Sequence, residues 1–140
     1  MSIDYTFYLS DDTPETMLCL HDFIEISRAG TIIRGTAFKE ALDIVVAHVI
    51  PDESFIREEL DFKPSTKLIA TIDLDRYEES IQAIIKLTNC LVKTQPKARL
   101  YLNNESLLLS KNSNGITLHS GDASFWDEYL GLVDFPYLLN

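Results

Sequence analysis

Histidines, cysteines and carboxylates are the side chains of this sequence best suited to chemistry. The histidines are His21, His48 and His119, and none stands at the H-x₃₋₅-H or H-E-x-x-H spacing typical of metal sites. His48 falls in the most apolar segment, where a hydrogen-bonded core or edge histidine is expected. The spacing therefore predicts neither a metal site nor shared histidine catalysis.

Nucleophilic chemistry also lacks its usual sequence context. No serine lies in a G-x-S-x-G elbow, and the five glycines form no phosphate-cradling loop. Cys19 and Cys90 fall in apolar, helix-like patterns, which favours two buried, reduced thiols and a cytoplasmic protein, although a disulfide between them stays open. From this we predict a protein that is not an enzyme and needs no cofactor.

Acidic residues form several clusters along the chain. Some stand at helix starts, where capping explains them, and paired carboxylates also serve acid–base catalysis or bind hard cations. Taken together, the acids fit a surface that meets a basic protein, with aromatic residues as anchors, among them Phe55, Tyr77, Trp126 and Tyr129. The residues predicted to contact the partner are Asp52, Glu53, Glu58, Glu59, Asp61, Asp122, Trp126, Asp127 and Glu128. Further acids lie at Asp11, Asp12, Glu15, Asp73, Asp75, Glu78, Glu79 and Asp134.

The overall charge narrows the classes of partner. The chain carries 22 acidic and 12 basic residues among 140, a formal net charge of −10. Such a surface repels phosphate backbones and anionic membranes, and it attracts basic proteins at long range. We therefore expect this protein to bind neither nucleic acid nor a membrane. The sequence is compatible with a homodimer. No apolar run approaches the roughly 18 residues of a membrane-spanning helix, and the N-terminus lacks signal-peptide features.

The elements that position these residues follow from hydrophobic periodicity and turn signals. One globular domain over residues 1–140 is expected, with an α+β fold in which helices pack on a mainly antiparallel sheet and a β-meander and short helix end the chain. The predicted helices are Pro14 to about Ile26, a short helix or loop at 52–60, a helix that Asp75 caps and that runs to about Thr94, and a last helix at Phe125–Val133. The predicted strands are 3–9, 31–38, 42–50, 65–74, 98–102, 106–110 and 115–119.

The second half of the chain carries a family resemblance. A strand at Lys67–Asp75 leads into an apolar helix, and an Asn104-Glu105 hairpin then precedes a leucine strand and the Asn114-Gly115 turn. This order resembles the small immunity proteins of bacterial polymorphic toxin systems, in particular those of the myxobacterial swarming-inhibition type. The similarity spans roughly Lys67 to Trp126, and it implies a binder that neutralises a toxin and transfers no catalytic residue.

The sequence thus leaves three functions to be weighed. The favoured one is a cytoplasmic immunity protein that binds a cognate, basic protein toxin and occludes its active face. The first alternative is a small carboxylate-based enzyme, with or without a metal. The second is an adaptor subunit without enzymatic activity, whose partner is another protein of the same complex.

Overall fold

A computed structural model describes residues 2–49, 62–119 and 125–140. These residues form one nine-stranded sheet with one long helix on it. The strands are β1 Asp4–Leu9, β2 Ile24–Ala29, β3 Ile32–Ala37, β4 Leu42–His48, β5 Thr66–Ile72, β6 Ala98–Leu102, β7 Ser106–Asn112, β8 Gly115–Leu118 and β9 Leu138–Leu139. The helices are α1 Thr13–Met17 and α2 Tyr77–Thr94, with single 3₁₀ turns at Leu74–Arg76 and Leu130–Leu132.

The sheet has the order β2-β3-β4-β5-β1-β6-β7-β8-β9, and every pairing is antiparallel except that of β8 with β9. The first strand of the chain therefore lies at the centre, between β5 and β6. The α+β class and the mainly antiparallel sheet are as predicted.

The core lies between one face of the sheet and α2. Alternate residues of β4 and β5 are buried, as the period of two in a strand requires, and they meet the apolar stripe of α2. The core stripe of α2 includes Ile81, Ile84, Leu87 and Leu91, each 0 % exposed. The buried face of the sheet and α2 thus form the main hydrophobic core, to which β1, β4, β5 and β6 contribute.

The predicted helix at Pro14–Ile26 is the main error of the sequence analysis. Its first turn forms as α1, but the chain turns at Asp22 with a φ of 55° and continues as β2. Gly30, expected to end a helix, instead sits with a φ of 60° in the β2–β3 hairpin. The apolar residues at Met17, Leu20 and Phe23 imitate a helical stripe, while the β-branched residues Ile24 and Ile26 belong to an edge strand.

Three further expectations concern the helix starts, the cysteines and the C-terminus. Asp73, rather than Asp75, caps the 3₁₀ turn before α2, because its Oδ1 accepts the Asp75 N–H at 3.0 Å. Cys19 and Cys90 form a disulfide and are not free thiols. The predicted last helix at Phe125–Val133 is only a set of turns and the 3₁₀ turn, although Phe135 is buried and docks the tail as expected. The predicted element at 52–60 lies outside the described residues.

Candidate functional site

The most distinctive polar surface lies at the end of the sheet where β4 begins and β5 ends. Leu42 pairs with Ile72 across these strands, so the residues just outside them meet at one end. A cleft of about 280 Å³ opens there. Its charged lining residues are Glu40, Asp43, Asp73 and Asp75, and Leu74 lies among them. We call these residues, with Tyr77 and Glu78, the acidic face.

The carboxylates of the acidic face outnumber the cation beside them. The charge of Arg76 interacts with Asp73 and Glu40, but its ion pair is with Glu79, at 2.6 Å between Nη2 and Oε2, and this bond lowers the pKa of Glu79. Within the described residues, Glu40, Asp43 and Asp75 form no ion pair. Like charges at close range repel, and a cationic partner relieves that repulsion. The acidic face is therefore a region of excess negative charge.

Apolar groups stand among these charges. Leu74, in the 3₁₀ turn before α2, is 51 % exposed, and Tyr77, the first residue of α2, is 46 % exposed. A protein interface needs such groups, because charge alone steers association whereas buried aromatic and aliphatic anchors hold the complex. The acidic face supplies both kinds of contact.

The turns after residue 124 extend this face. The Tyr129 hydroxyl donates to Oε1 of Glu78 at 3.4 Å, and burial, followed by the charge of Glu78, raises the pKa of Tyr129. The charge of Glu128 raises it further, which places that carboxylate near the same hydroxyl. Asp127 and Glu128 are both exposed, and of these two predicted contact residues Glu128 lies near the Tyr129 hydroxyl beside the acidic face.

Trp126 has a different role from the one predicted. It is 1 % exposed, and its indole N–H donates to the carbonyl oxygen of Leu108 at 2.8 Å. Its ring packs edge-on against Phe125, which in turn contacts Tyr5 and Tyr129. Trp126 therefore supports the acidic face from within the core and is not a surface anchor.

The other predicted contact residues cannot be placed. Asp52, Glu53, Glu58, Glu59, Asp61 and Asp122 lie outside the described residues, as does Phe55, and their role stays a prediction. The sequence analysis noted the Asp73–Glu79 cluster and Tyr77 but did not select them. It could not add Glu40 or Asp43, because only the pairing of β4 with β5 brings them to this end.

The structure also assembles a serine, a histidine and an asparagine. Oγ of Ser110 is 2.9 Å from Nε2 of His119, and Nδ2 of Asn140 is 3.2 Å from Nδ1. With Nδ2 of Asn140 as the donor, Nδ1 of the neutral ring accepts and Nε2 carries the proton. A general base for Ser110 needs an unprotonated Nε2, so this hydrogen-bond arrangement does not activate the serine. In this arrangement the histidine fastens the C-terminal residue to β7 and β8.

Within residues 2–49, 62–119 and 125–140, no group of three or more His, Cys, Asp or Glu side chains is arranged to hold a metal ion. Among the helices in these ranges, none combines the length and the apolar character needed to cross a bilayer.

Comparison with known proteins adds no assignment. No family profile matches the chain, and neither a curated protein nor a solved structure matches it.

Proposed function

We propose that this protein is an immunity protein that binds a basic protein toxin through the acidic face and occludes the toxin's active surface. The observation that carries the proposal is the group of unpaired carboxylates around exposed Leu74 and Tyr77. The net charge of −10 and the resemblance of residues 67–126 to immunity proteins point to the same class of partner.

The mechanism needs no chemistry from this chain. The field of an acidic protein accelerates encounter with a basic one, and such association reaches about 10⁸–10⁹ M⁻¹s⁻¹ at low salt. Once docked, the apolar groups of Leu74 and Tyr77 exclude water at the centre, while the surrounding carboxylates pair with lysine or arginine. Inhibition follows from steric coverage of the toxin's active surface.

Co-expression tests the proposal. The neighbouring reading frame is expressed alone and with this chain, and growth and co-purification are followed. Toxicity that this chain relieves, together with a stable complex, is the expected result. A harmless neighbour that does not co-purify contradicts the proposal and favours the enzyme or the adaptor.

A matched pair of variants tests the location of the contact. D43N/D75N/E78Q removes three carboxylates of the acidic face, whereas D11N/D12N/E15Q removes three near α1, at the opposite end of β1. Only the first variant is expected to lose protection and co-purification. Loss in the second variant alone places the partner at the other end of the sheet and contradicts the role of the acidic face.

The cytoplasm is the location we propose, and the disulfide makes that part of the proposal testable. Disulfides persist mainly in oxidising compartments, and the cytoplasmic expectation assumed free thiols at Cys19 and Cys90. Rapid alkylation of intact cells, followed by mass spectrometry, measures the redox state in place. Alkylated cysteines support a cytoplasmic protein, whereas a protected, bonded pair supports an oxidising compartment.

A further inference from the structure

A second cleft lies on the other side of the turn between β3 and β4. It has a volume of about 270 Å³ and separates this turn from the first half of α2. Glu40 of the same turn lines the acidic cleft instead. The lining residues of the second cleft are His21, Phe38, Lys39, Ala41, Glu79, Gln82, Ala83 and Lys86. We propose that this cleft binds a small phosphate-type oxyanion.

The charge of the cleft supports an anionic ligand. Lys39 and Lys86 form no ion pair within the described residues, in a chain whose acids outnumber its bases. The one carboxylate of the lining, that of Glu79, is occupied by Arg76 at 2.6 Å. Two lysines that form no ion pair in the described ranges therefore line one cleft, and a bound anion would offset the charge of both.

The backbone beside the cleft is strained. Asp22, Phe38, Lys39 and Glu40 have φ values between 55° and 64°, and they are four of the six non-glycine residues with positive φ in the described ranges. The left-handed conformation is unfavourable for residues other than glycine, and such strain collects at binding and catalytic sites. Phe38, Lys39 and Glu40 are thus three consecutive left-handed residues in the turn between β3 and β4. In this turn Lys39 lines the second cleft and Glu40 lines the acidic cleft.

Hydrogen bonds from several elements hold the strained turn. The Phe38 N–H donates to the carbonyl oxygen of His21 at 2.6 Å, and Nη1 of Arg76 donates to that of Lys39 at 3.3 Å. The buried hydroxyl of Ser80 donates to the carbonyl oxygen of Ala41 at 2.7 Å. The turn that lines the cleft is therefore held by hydrogen bonds from the loop before β2, the 3₁₀ turn and α2.

The size and the donors select the class of anion. A volume of about 270 Å³ admits an oxyanion with a few waters, but it is small for a drug-sized ligand, since pockets for those span roughly 300–1,000 Å³. Gln82 and Lys86 lie one turn apart on α2, and Lys39 comes from the turn between β3 and β4. His21 also lines the cleft, but its Nε2 is 3.4 Å from the carboxylate of Asp22, so the donors left for a ligand are the two lysines and the Gln82 amide. Donors from separate elements suit a tetrahedral oxyanion better than a planar carboxylate, which favours the fork of arginine.

Titration with inorganic phosphate in a constant chloride background tests the proposal. Saturable binding is expected by calorimetry and by NMR shifts of the Lys39 and Gln82 amides. K39Q and K86Q should each weaken binding about tenfold, the effect of losing one charge-assisted hydrogen bond. K63Q is the matched control. Lys63 is also an exposed lysine, but it lies just before the first residue of β5 and does not line this cleft.

A further variant, E79Q, is expected to change phosphate affinity in the opposite direction. E79Q removes the one carboxylate of the lining and is expected to tighten phosphate binding, while circular dichroism confirms that each variant is folded. Absence of saturable binding, or equal weakening by K39Q and K63Q, overturns the proposal. The outcome is independent of the immunity function, because the titration contains no protein partner.

Discussion

Gly35, in β3, is a residue at which the fold accepts no side chain. A Cβ there would lie 2.2 Å from the carbonyl oxygen of Ile24 and 2.7 Å from Cζ of Phe23. The close approach lets the Phe23 ring pack over β3 at the sheet edge, and it helps to explain why residues 24–29 form a strand. The sequence shows an isolated glycine here but not the ring that needs it.

Gly35→Ala is expected to lower the free energy of unfolding by about 1–3 kcal/mol, the usual cost of overpacking. Urea denaturation measures this change. Gly131→Ala is the control, since a Cβ at Gly131 meets nothing within 4 Å. Equal stability of the two variants contradicts the role given to Gly35.

His119 predicts a dependence of stability on pH. Burial, followed by the positive charge of Arg99, holds the pKa of this imidazole below its ordinary value of 6.5. The unfolded chain therefore binds more protons than the folded one as the pH falls below that value, and the folded state loses stability. Protonation also removes the acceptor that Nδ1 offers to Asn140.

The measurement compares the unfolding free energy of the wild type and His119→Gln between about pH 7.5 and 5.5, the range in which an ordinary histidine titrates. The wild type is expected to lose more stability than the variant on acidification. Parallel profiles would show that His119 does not contribute, because all other titrating groups are common to both proteins.

At the scale of elements, period and length decide what the sequence predicts. α2 and β5 were predicted because each repeats apolar residues at one clear period, whereas β4 was predicted from a nearly continuous apolar run and β6 to β8 from short apolar runs between turn residues. β2, whose six residues are all exposed, was missed because Ile24 and Ile26 were assigned to the apolar stripe of the helix predicted at 14–26. The turn at Asp22 and the close contact at Gly35 determine that residues 24–29 form a strand. Both features depend on tertiary structure, so the local sequence does not show them.

The disulfide joins the segment after α1 to α2. Cys19 and Cys90 are 71 residues apart in sequence, so the bond closes a long loop. In the chain-entropy account such a loop stabilises the folded state by about 4 kcal/mol. The bond also holds the segment that leads into the loop lining the proposed oxyanion cleft.

Reduction is therefore expected to lower the melting temperature of the wild type, as differential scanning calorimetry with and without dithiothreitol measures. C19A/C90A should melt at a temperature that dithiothreitol does not change, and below that of the oxidised wild type. A wild type that melts at the same temperature in both conditions would contradict a stabilising bond in the folded protein.

On the surface of the whole molecule, acidic and basic side chains line two separate clefts. The turn between β3 and β4 separates an acidic cleft from a lysine-lined one, so Glu40 and Lys39 serve opposite sides. The sequence predicts the excess of acid and the class of partner that it favours. It does not predict this division, since residues 21, 39, 75 and 86 come together only through the sheet and α2.

Association kinetics measure whether the acidic face recruits a basic partner. Stopped-flow fluorescence measures the rate of association with the product of the neighbouring reading frame at increasing salt concentration. The proteins compared are the wild type, D43N/D75N/E78Q and D11N/D12N/E15Q.

Electrostatic steering predicts that the association rate of the wild type falls at least about tenfold between low and high salt. The acidic-face variant should be slower at low salt and less sensitive to salt, whereas the α1 variant should retain the salt dependence of the wild type. A wild-type rate that does not change with salt, or an acidic-face variant identical to the wild type, would contradict the account.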